Sequence, residues 1–377
     1  MKTSLINNVP SKSPIPNPNL KVAIVHDWLY GGGAEKVVLE LHRLFPDAPI
    51  YTSYCTDEWR NKLDNKVITG YLDKPPFRQL RKFLPILRQH WFKSLKLDDY
   101  DIVISSSGNG EAKFIRTKGT HICYCHTPTH FYWRHYNQYL SRPGFRPYWL
   151  ARIGLRILLK PLRKADYQAA QKIDHFIANS THIQNDIKQF YNRDSTVIHP
   201  PVDIERFSNL NNGKRHGFVT LGRQTPYKRI DIIIQACNEL GLPLTVIGNG
   251  PEHARLKAMA GPTITFMKKA TDSEVEHALS SAEAFIFAAH EDFGIAPVEA
   301  MAAGTPVIAY KAGGALDYVQ PGVTGVFFEE QTAESLQKVL STFSATNYDP
   351  KTVIAATTKF NREVFQQKIS EYLKTIS

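Results

Sequence analysis

The sequence predicts an α/β chain made of two doubly wound, parallel-sheet domains of Rossmann type that face each other across a cleft. Three observations predict it. The 377 residues exceed one ordinary core and suit two domains. Short β-branched runs alternate with helical patterns along nearly the whole chain, the mark of parallel α/β layers. These runs fall into two series, parted near residues 199–207 and the Asn/Gly-rich stretch 209–214. The boundaries read as a disordered tail at 1–19, a first domain at 20–205, a second at 206–358 and a closing helix at 359–377 that crosses back onto the first domain.

The tail is rich in Pro, Ser and Asn and has no apolar run of secretory type. The first strand is expected at 21–26 and runs into Trp28, Leu29, Tyr30, Gly31, Gly32 and Gly33. A helix follows, with Ala34, Val37, Val38, Leu41 and Leu44 at helical spacing. Glycines between a strand and a helix let a ligand approach closely and offer amides to an anion. A tight turn with no ligand is the plain alternative. Further strands are expected at 101–106, 121–125, 175–178 and 196–199. His126 follows the third of these five first-domain strands at its carboxyl end, where a lone histidine is equally a site residue or a satisfied structural one. Asp99-Tyr100-Asp101 has the D-x-D spacing of a metal site but begins a strand, at the amino edge, so no catalytic metal is expected.

Two stretches lack acids. Residues 77–95 carry Arg78, Arg81, Lys82, Arg88 and Lys93 among Leu, Trp and Phe. Residues 142–164 carry Arg152, Arg156, Lys160 and Lys164 at i+4 spacing beside aliphatic residues, a stripe suited to an anionic membrane surface. The alternative is a pair of core-packing helices with solvated basic faces.

The second series is expected at 218–221, 244–247, 264–266, 284–288 and 306–309. Arg223 and Lys228 follow its first strand, at the carboxyl edge where open α/β sheets bind ligands. Cations fixed on a departing nucleoside diphosphate stabilise the transition state more than the ground state. Glu291 and Glu299 stand eight apart around Phe293, Gly294 and Ile295. Pro297 suits the first turn of a helix and Gly304 its end, so amides of residues 294–296 stand ready for phosphate or sugar hydroxyls. An acid at a helix start often serves only the dipole. Glu291 precedes the helix and needs another explanation.

Composition narrows the partners. Hydrophobic residues at 42% and charged residues at 21% give a globular profile, and the net charge of +11 suits an anionic partner. Four cysteines show no C-x-x-C spacing and read as a reduced cytosolic set. No apolar stretch is long enough to span a membrane.

Taken together, the Glu-x7-Glu element, the G-R-x4-K run, the glycine loop and Cys125-His126-Thr127-Pro128 resemble family 4 of the retaining glycosyltransferases, which have the GT-B fold. The resemblance spans residues 20–375. It implies a metal-independent transferase in which Gly31, Gly32 and Gly33 approach the donor diphosphate and His126 sits by the donor sugar. It also implies that Arg223 and Lys228 hold the diphosphate, Glu291 the sugar hydroxyls and Glu299 the ribose. Gly248 and Asn249, with the segment ending at Lys269, would flank the nucleoside. Front-face substitution that retains configuration is implied, with no cofactor beyond the nucleotide diphosphate sugar itself.

The CYCHTP run with the aromatics Phe131, Tyr132, Trp133, Tyr136 and Tyr139 resembles the GDP-mannose-dependent mannosyltransferases of bacterial polysaccharide assembly. His130 and the pair Lys268-Lys269 depart from that pattern. GDP-mannose is the expected donor and a UDP-hexose its rival, with a saccharide or lipid-linked saccharide as acceptor. A cytoplasmic enzyme, peripheral at the inner face of the cell membrane, is the matching location. A sugar-nucleotide epimerase of the same fold would turn over donor without acceptor. A nucleic-acid-binding protein would need cations interleaved with stacking aromatics, and no RNA-binding signature is present, so no nucleic acid is expected.

Overall fold

The computed structural model describes residues 20–376 apart from 81–83, 109–110, 130–131, 135, 137–139, 141–147, 209, 211–212 and 214. Two parallel sheets carry the chain. The first holds β1 (Val22–His26), β2 (Ile50–Thr52), β3 (Val67–Ile68), β4 (Ile102–Ser107), β5 (Thr120–Cys125), β6 (His175–Ala178) and β7 (Thr196–Val197), in the order β3-β2-β1-β4-β5-β6-β7. The second holds β8 (Phe218–Leu221), β9 (Leu244–Ile247), β10 (Ile264–Met267), β11 (Ala284–Phe287), β12 (Val307–Tyr310) and β13 (Gly325–Phe328), in the order β10-β9-β8-β11-β12-β13.

The central strands β1, β4 and β11 are buried along their whole length, as helix-covered parallel strands must be. Their unbroken apolar or small-residue runs made them legible. The expected pair of parallel-sheet α/β units is therefore observed. β2 and β3 are too short to show a pattern, and β13 begins at Gly325, directly after a stretch that reads as a turn.

In both sheets the strand order reverses at the first strand. β1 lies between β2 and β4, and β8 lies between β9 and β11. The carboxyl ends on either side of such a reversal form a crevice where open α/β sheets take ligands. Each unit thus has its own switch point, set by topology before any side chain is considered.

One compact unit runs to Ile177 and resumes at Arg362, and the other is Ala178–Asn361. The sequence places the division later, at 205/206. The earlier position follows from the bonds made after β6. The Ser180 hydroxyl donates to the Asp292 carbonyl. The Thr181 amide and His199 Nε2 both bond the Asp317 carboxylate, at 2.8 and 3.1 Å. No sequence pattern announces such long-range bonds.

The closing helix, Arg362–Ile376, buries Phe365, Ile369 and Leu373. Phe365 packs 5.9 Å from Tyr124, and Gln366 donates to Glu40 at 2.7 Å, both within the first unit.

The two acid-free stretches part ways. In the first, Arg88 is buried and paired with Glu111 at 2.6 Å, with its guanidinium over the Trp28 ring. Trp91 and Phe92 enter the core. Arg78 pairs with Asp73. The solvated basic face expected there is corrected for Arg88, whose charge is answered inside; Arg81 and Lys82 lie outside the described residues.

In the second stretch, the helix Tyr148–Ala170 leaves Arg152, Arg156 and Lys160 exposed. It also leaves Trp149 63% and Ile157 67% exposed, with Leu150, Ile153 and Leu158 beside them. Beyond Pro161 the same helix buries Asp166, Ala169 and Ala170. The tail 1–19 and His130, Phe131 and Tyr139 lie outside the described residues.

Candidate active site

The first unit's switch point is a set of buried polar groups bonded to one another. Asp27 follows β1, and its carboxylate accepts the amides of Gly108 and Ala112 at 2.7 Å each, which fixes the turn after β4. His26 Nδ1 lies 2.8 Å from the Ser106 carbonyl oxygen and 3.1 Å from the Ser106 hydroxyl. That hydroxyl lies 2.8 Å from His126 Nε2, at the end of β5. The two rings stand edge to face at 6.4 Å. Burial, with His26 beside it, pushes His126 down to about 3, so the ring is neutral near pH 7. His121, bonded to Ser105 at 2.8 Å, is likewise pushed down by burial, to about 4.

The glycine loop differs from expectation in one respect. Glu35 is buried in the first turn of the helix Gly33–Leu44, and its carboxylate accepts the Tyr30 and Gly31 amides at 3.4 and 3.1 Å. An acid at the third helical position reaching back to the loop is a normal end-cap. The Gly31 amide expected to await an anion is therefore engaged by the chain's own carboxylate. A Cβ on Gly32 would come 2.9 Å from Glu35 Oε2, so the loop and the carboxylate are packed together.

The second unit's switch point is charged and open. Arg223 is exposed, and Lys228 is partly buried in the turn after β8. Glu291 arrives after β11 and forms a short ion pair with Lys228. Burial alone would lower the Lys228 ammonium, but Glu291, with Tyr227 and Asp292 behind it, holds it above the usual lysine range. Lys268 and Lys269 are exposed after β10, and Asn249 is exposed after β9. The carboxyl edge of this sheet thus carries Arg223, Lys268 and Lys269, with Glu291 set against Lys228.

Two loops of this edge are strapped by Gln224, which is fully buried. Its side chain donates to the Gly248 carbonyl at 2.7 Å and contacts His253 Nδ1 at 2.7 Å. Its own amide donates to the Asn249 carbonyl at 2.9 Å. Gly248 has φ +116, and a Cβ there would meet the Gly222 carbonyl oxygen at 2.3 Å, so only glycine fits. The Glu291 loop is pressed in a similar way. Gly313 has φ +67, a Cβ on it would come 2.2 Å from the Glu291 carbonyl oxygen, and the Gly314 amide donates to that oxygen at 2.9 Å.

The helix Ile295–Ala302 starts after Gly294 and carries Glu299, which is buried. Phe293 goes into the core against His199, Tyr318 and Phe360, all at 5.6 Å or, for Tyr318 and Phe360, ring to ring at that distance. Its side chain therefore faces away from solvent, and a ligand contact at Phe293 falls to its main chain. Asp101 accepts the Lys21 amide at 2.8 Å and Asp99 is exposed, which accounts for the D-x-D spacing at the amino edge. Among the described residues no cluster of three or more His, Cys, Asp or Glu is disposed to hold a metal ion.

The structure thus joins Lys228 to Glu291 across 63 positions of chain, the difference of their numbers, within one unit. It gathers His126 with two residues that sequence reasoning did not single out, His26 and Ser106. Gln224, Glu35, Gly313 and Gly314 were also missed. His26 closes a buried strand and Ser106 sits in a serine run, so only their pairing in β1 and β4 gives them meaning.

The family model described as "Glycosyltransferase Family 4" matches residues 31–206, and that described as "Glycosyl transferases group 1" matches residues 201–360. A GDP-mannose-dependent alpha-mannosyltransferase of Mycobacterium tuberculosis is 36% identical over 111 residues, which are 29% of each chain. A D-inositol 3-phosphate glycosyltransferase of Mycobacterium sp. is 26% identical over 195 residues, 45% of this chain and 44% of that one. The chain therefore matches less than half the length of these curated relatives. Among solved structures, Anabaena Alr3699/HepE in complex with UDP-glucose superposes with a TM-score of 0.67 at 19% identity, covering 93% of this chain and 99% of that one. Sucrose-phosphate synthase from Thermosynechococcus elongatus gives 0.65 at 15% identity, covering 95% and 99%. At these identities the two likenesses concern the fold, which is GT-B.

Proposed function

The chain belongs to glycosyltransferase family 4 and to the glycosyl transferases group 1, and from that premise we propose that it moves a hexose from a nucleotide diphosphate donor onto a hydroxyl acceptor, retaining configuration and using no metal. One observation carries this reading. Lys228 and Glu291 meet at the second unit's switch point, with Arg223 exposed beside them. On donor binding, the diphosphate takes the Lys228 charge and the sugar hydroxyls take the Glu291 carboxylate. As the glycosidic bond breaks, negative charge grows on the departing phosphate, and Lys228 and Arg223 stabilise it in place of a divalent cation. The acceptor hydroxyl attacks the anomeric carbon on the face the phosphate leaves, and a phosphate oxygen takes its proton. Gly248, Asn249 and Lys269 flank the nucleoside, and Glu299 takes the ribose. His126 in the first unit serves the donor sugar.

GDP-mannose is the favoured donor. The 36% identity to a GDP-mannose-dependent alpha-mannosyltransferase supports it. The acceptor is a saccharide or lipid-linked saccharide. Transfer assays with GDP-mannose, UDP-glucose, UDP-galactose and UDP-N-acetylglucosamine, with product linkage read by NMR, test the reading. Donor turnover with no acceptor product, or an activity abolished by a chelator, would overturn it. Transfer from a UDP-sugar alone would replace the donor and keep the mechanism.

The exposed half of the helix Tyr148–Ala170 supports peripheral attachment to the inner membrane face. Trp149, Ile153 and Ile157 offer apolar surface beside Arg152, Arg156 and Lys160, with no acid before Asp166. Among the described residues no helix is long and apolar enough to cross a membrane. Vesicles rich in phosphatidylglycerol should bind the protein, and replacing the three cations by Ala should weaken that binding. Equal binding to neutral vesicles would count against it.

A further inference from the structure

The bonds around Ser106 have a direction, and it can be read from what each atom is able to do. The Ser106 carbonyl oxygen can only accept, so the His26 Nδ1 that lies 2.8 Å from it carries the proton. The same N–H is shared, more weakly, with the Ser106 hydroxyl at 3.1 Å. That hydroxyl cannot donate to His26 Nδ1. Its own proton then goes to the other nitrogen in reach, His126 Nε2 at 2.8 Å. A nitrogen that accepts from a hydroxyl has no proton, and a neutral imidazole must then carry its proton on Nδ1.

We propose that Ser106, held by His26, is a positioning residue that locks His126 as the neutral Nδ1–H tautomer. The ring then carries its one N–H on Nδ1, so any ligand atom that bonds there is an acceptor oxygen. If His126 stands by the donor sugar, as the proposed function has it, that oxygen is a sugar hydroxyl or carbonyl-type oxygen, and a ligand offering only a donor there is disfavoured. The role for the sugar rests on that transferase reading. The tautomer does not, because every bond in the argument lies inside the first unit. Backbone register supports the chain of bonds: His26 pairs with Ser106 across β1 and β4, so neither side chain can drift from the other. The ring is buried and His26 adds repulsion against a second proton, in keeping with a neutral form.

The test is spectroscopic. Long-range ¹H–¹⁵N correlation on the uniformly ¹⁵N-labelled full chain reports which ring nitrogen is protonated, with H126Q supplying the assignment. Wild type should show His126 as the Nδ1–H tautomer at pH 7. An Nε2–H or doubly protonated ring in wild type would overturn the proposal. In S106A the signal should shift to a mixture of tautomers, and kcat/KM should fall about tenfold, the scale of one hydrogen bond. S106T, which keeps the hydroxyl, should restore both readouts. A single Nδ1–H tautomer surviving in S106A would also overturn it. If the tautomer behaves as stated but no nucleotide sugar supports transfer, the assignment stands and the transferase reading fails.

Discussion

The two switch points are built by the same strand order and finished in opposite ways. In the first unit the polar groups at the crevice are buried, neutral or internally satisfied: His126 bonds Ser106, Ser106 bonds His26, and Asp27 holds two amides. In the second they are charged and partly open, with Lys228 paired to Glu291 and Arg223 exposed. A neutral imidazole can be pre-set because nothing in it must change when a ligand arrives. On the proposed function the ion pair is a placeholder, each partner giving up the other for phosphate or hydroxyl. One switch point is fixed in advance; the other, on that proposal, is exchanged.

Breaking the exchanged side should have the largest effect. Lys228→Ala and Glu291→Ala should each lower kcat by about 10²–10³-fold, the scale of a lost transition-state donor. The double variant should be little worse than either one, because each single change already strands the other charge. Fully additive losses in steady-state assays would show that the pair does not act as a unit. His126→Ala, on the fixed side, should cost less, about 10- to 100-fold in kcat/KM, as one well-placed hydrogen bond does. A larger loss there than at Lys228 would reverse the comparison.

Smaller effects concern the scaffold. Gln224→Leu leaves the Gly248 carbonyl and the His253 ring without their shared partner, and should lower stability by about 1–3 kcal/mol by urea unfolding. An unchanged midpoint would mean the strap is ornamental. The smallest effect is a pH slope from the buried side. His126 and His121 are held at about 3 and about 4 against an ordinary value of 6.5. Below that ordinary value the unfolded chain takes protons that the folded chain does not, so this contribution is complete above pH 6.5 and shrinks as pH falls, down to about 4 for His121 and about 3 for His126. Glu111, pushed up to about 7 by burial despite Arg88, opposes it. Its folded form keeps a proton that the unfolded chain loses, so its contribution is present below pH 4.5 and fades as pH rises through 7. Glu111→Gln should therefore steepen the loss of stability on acidification, read as urea midpoints between pH 5 and 7.

The fold was largely legible because the central strands are continuous apolar or small-residue runs and strand order follows from parallel α/β logic. The charged groups of the second unit were legible too, since Arg223, Lys228 and Glu291 fall in the loops that follow strands. The bonded groups of the first unit were not. His26 and Ser106 gain their roles from lateral pairing in the sheet, which no local pattern reveals. The two acid-free stretches make the same point. Both read as amphipathic and basic, yet Arg88 turns inward because Glu111, 23 positions on, is buried beside it. Arg152 and Arg156 stay exposed. Periodicity locates a face; a distant partner decides whether it is inside. Glu35 belongs to the same lesson, because an acid three residues beyond a glycine pair looks like a helix cap and proves to occupy a loop amide too.

The return of the helix Arg362–Ile376 to the first unit bears on the order in which the protein is made. The second unit is one continuous stretch, so everything it needs for its core has been translated once Asn361 is out. The first unit begins earlier and finishes later. Until Phe365 and Gln366 have emerged, Tyr124 lacks the Phe365 ring and Glu40 the Gln366 amide. A ribosome pausing before this helix would hold a completed second unit attached to a first unit still waiting for its last piece, exposed to chaperones for as long as the pause lasts.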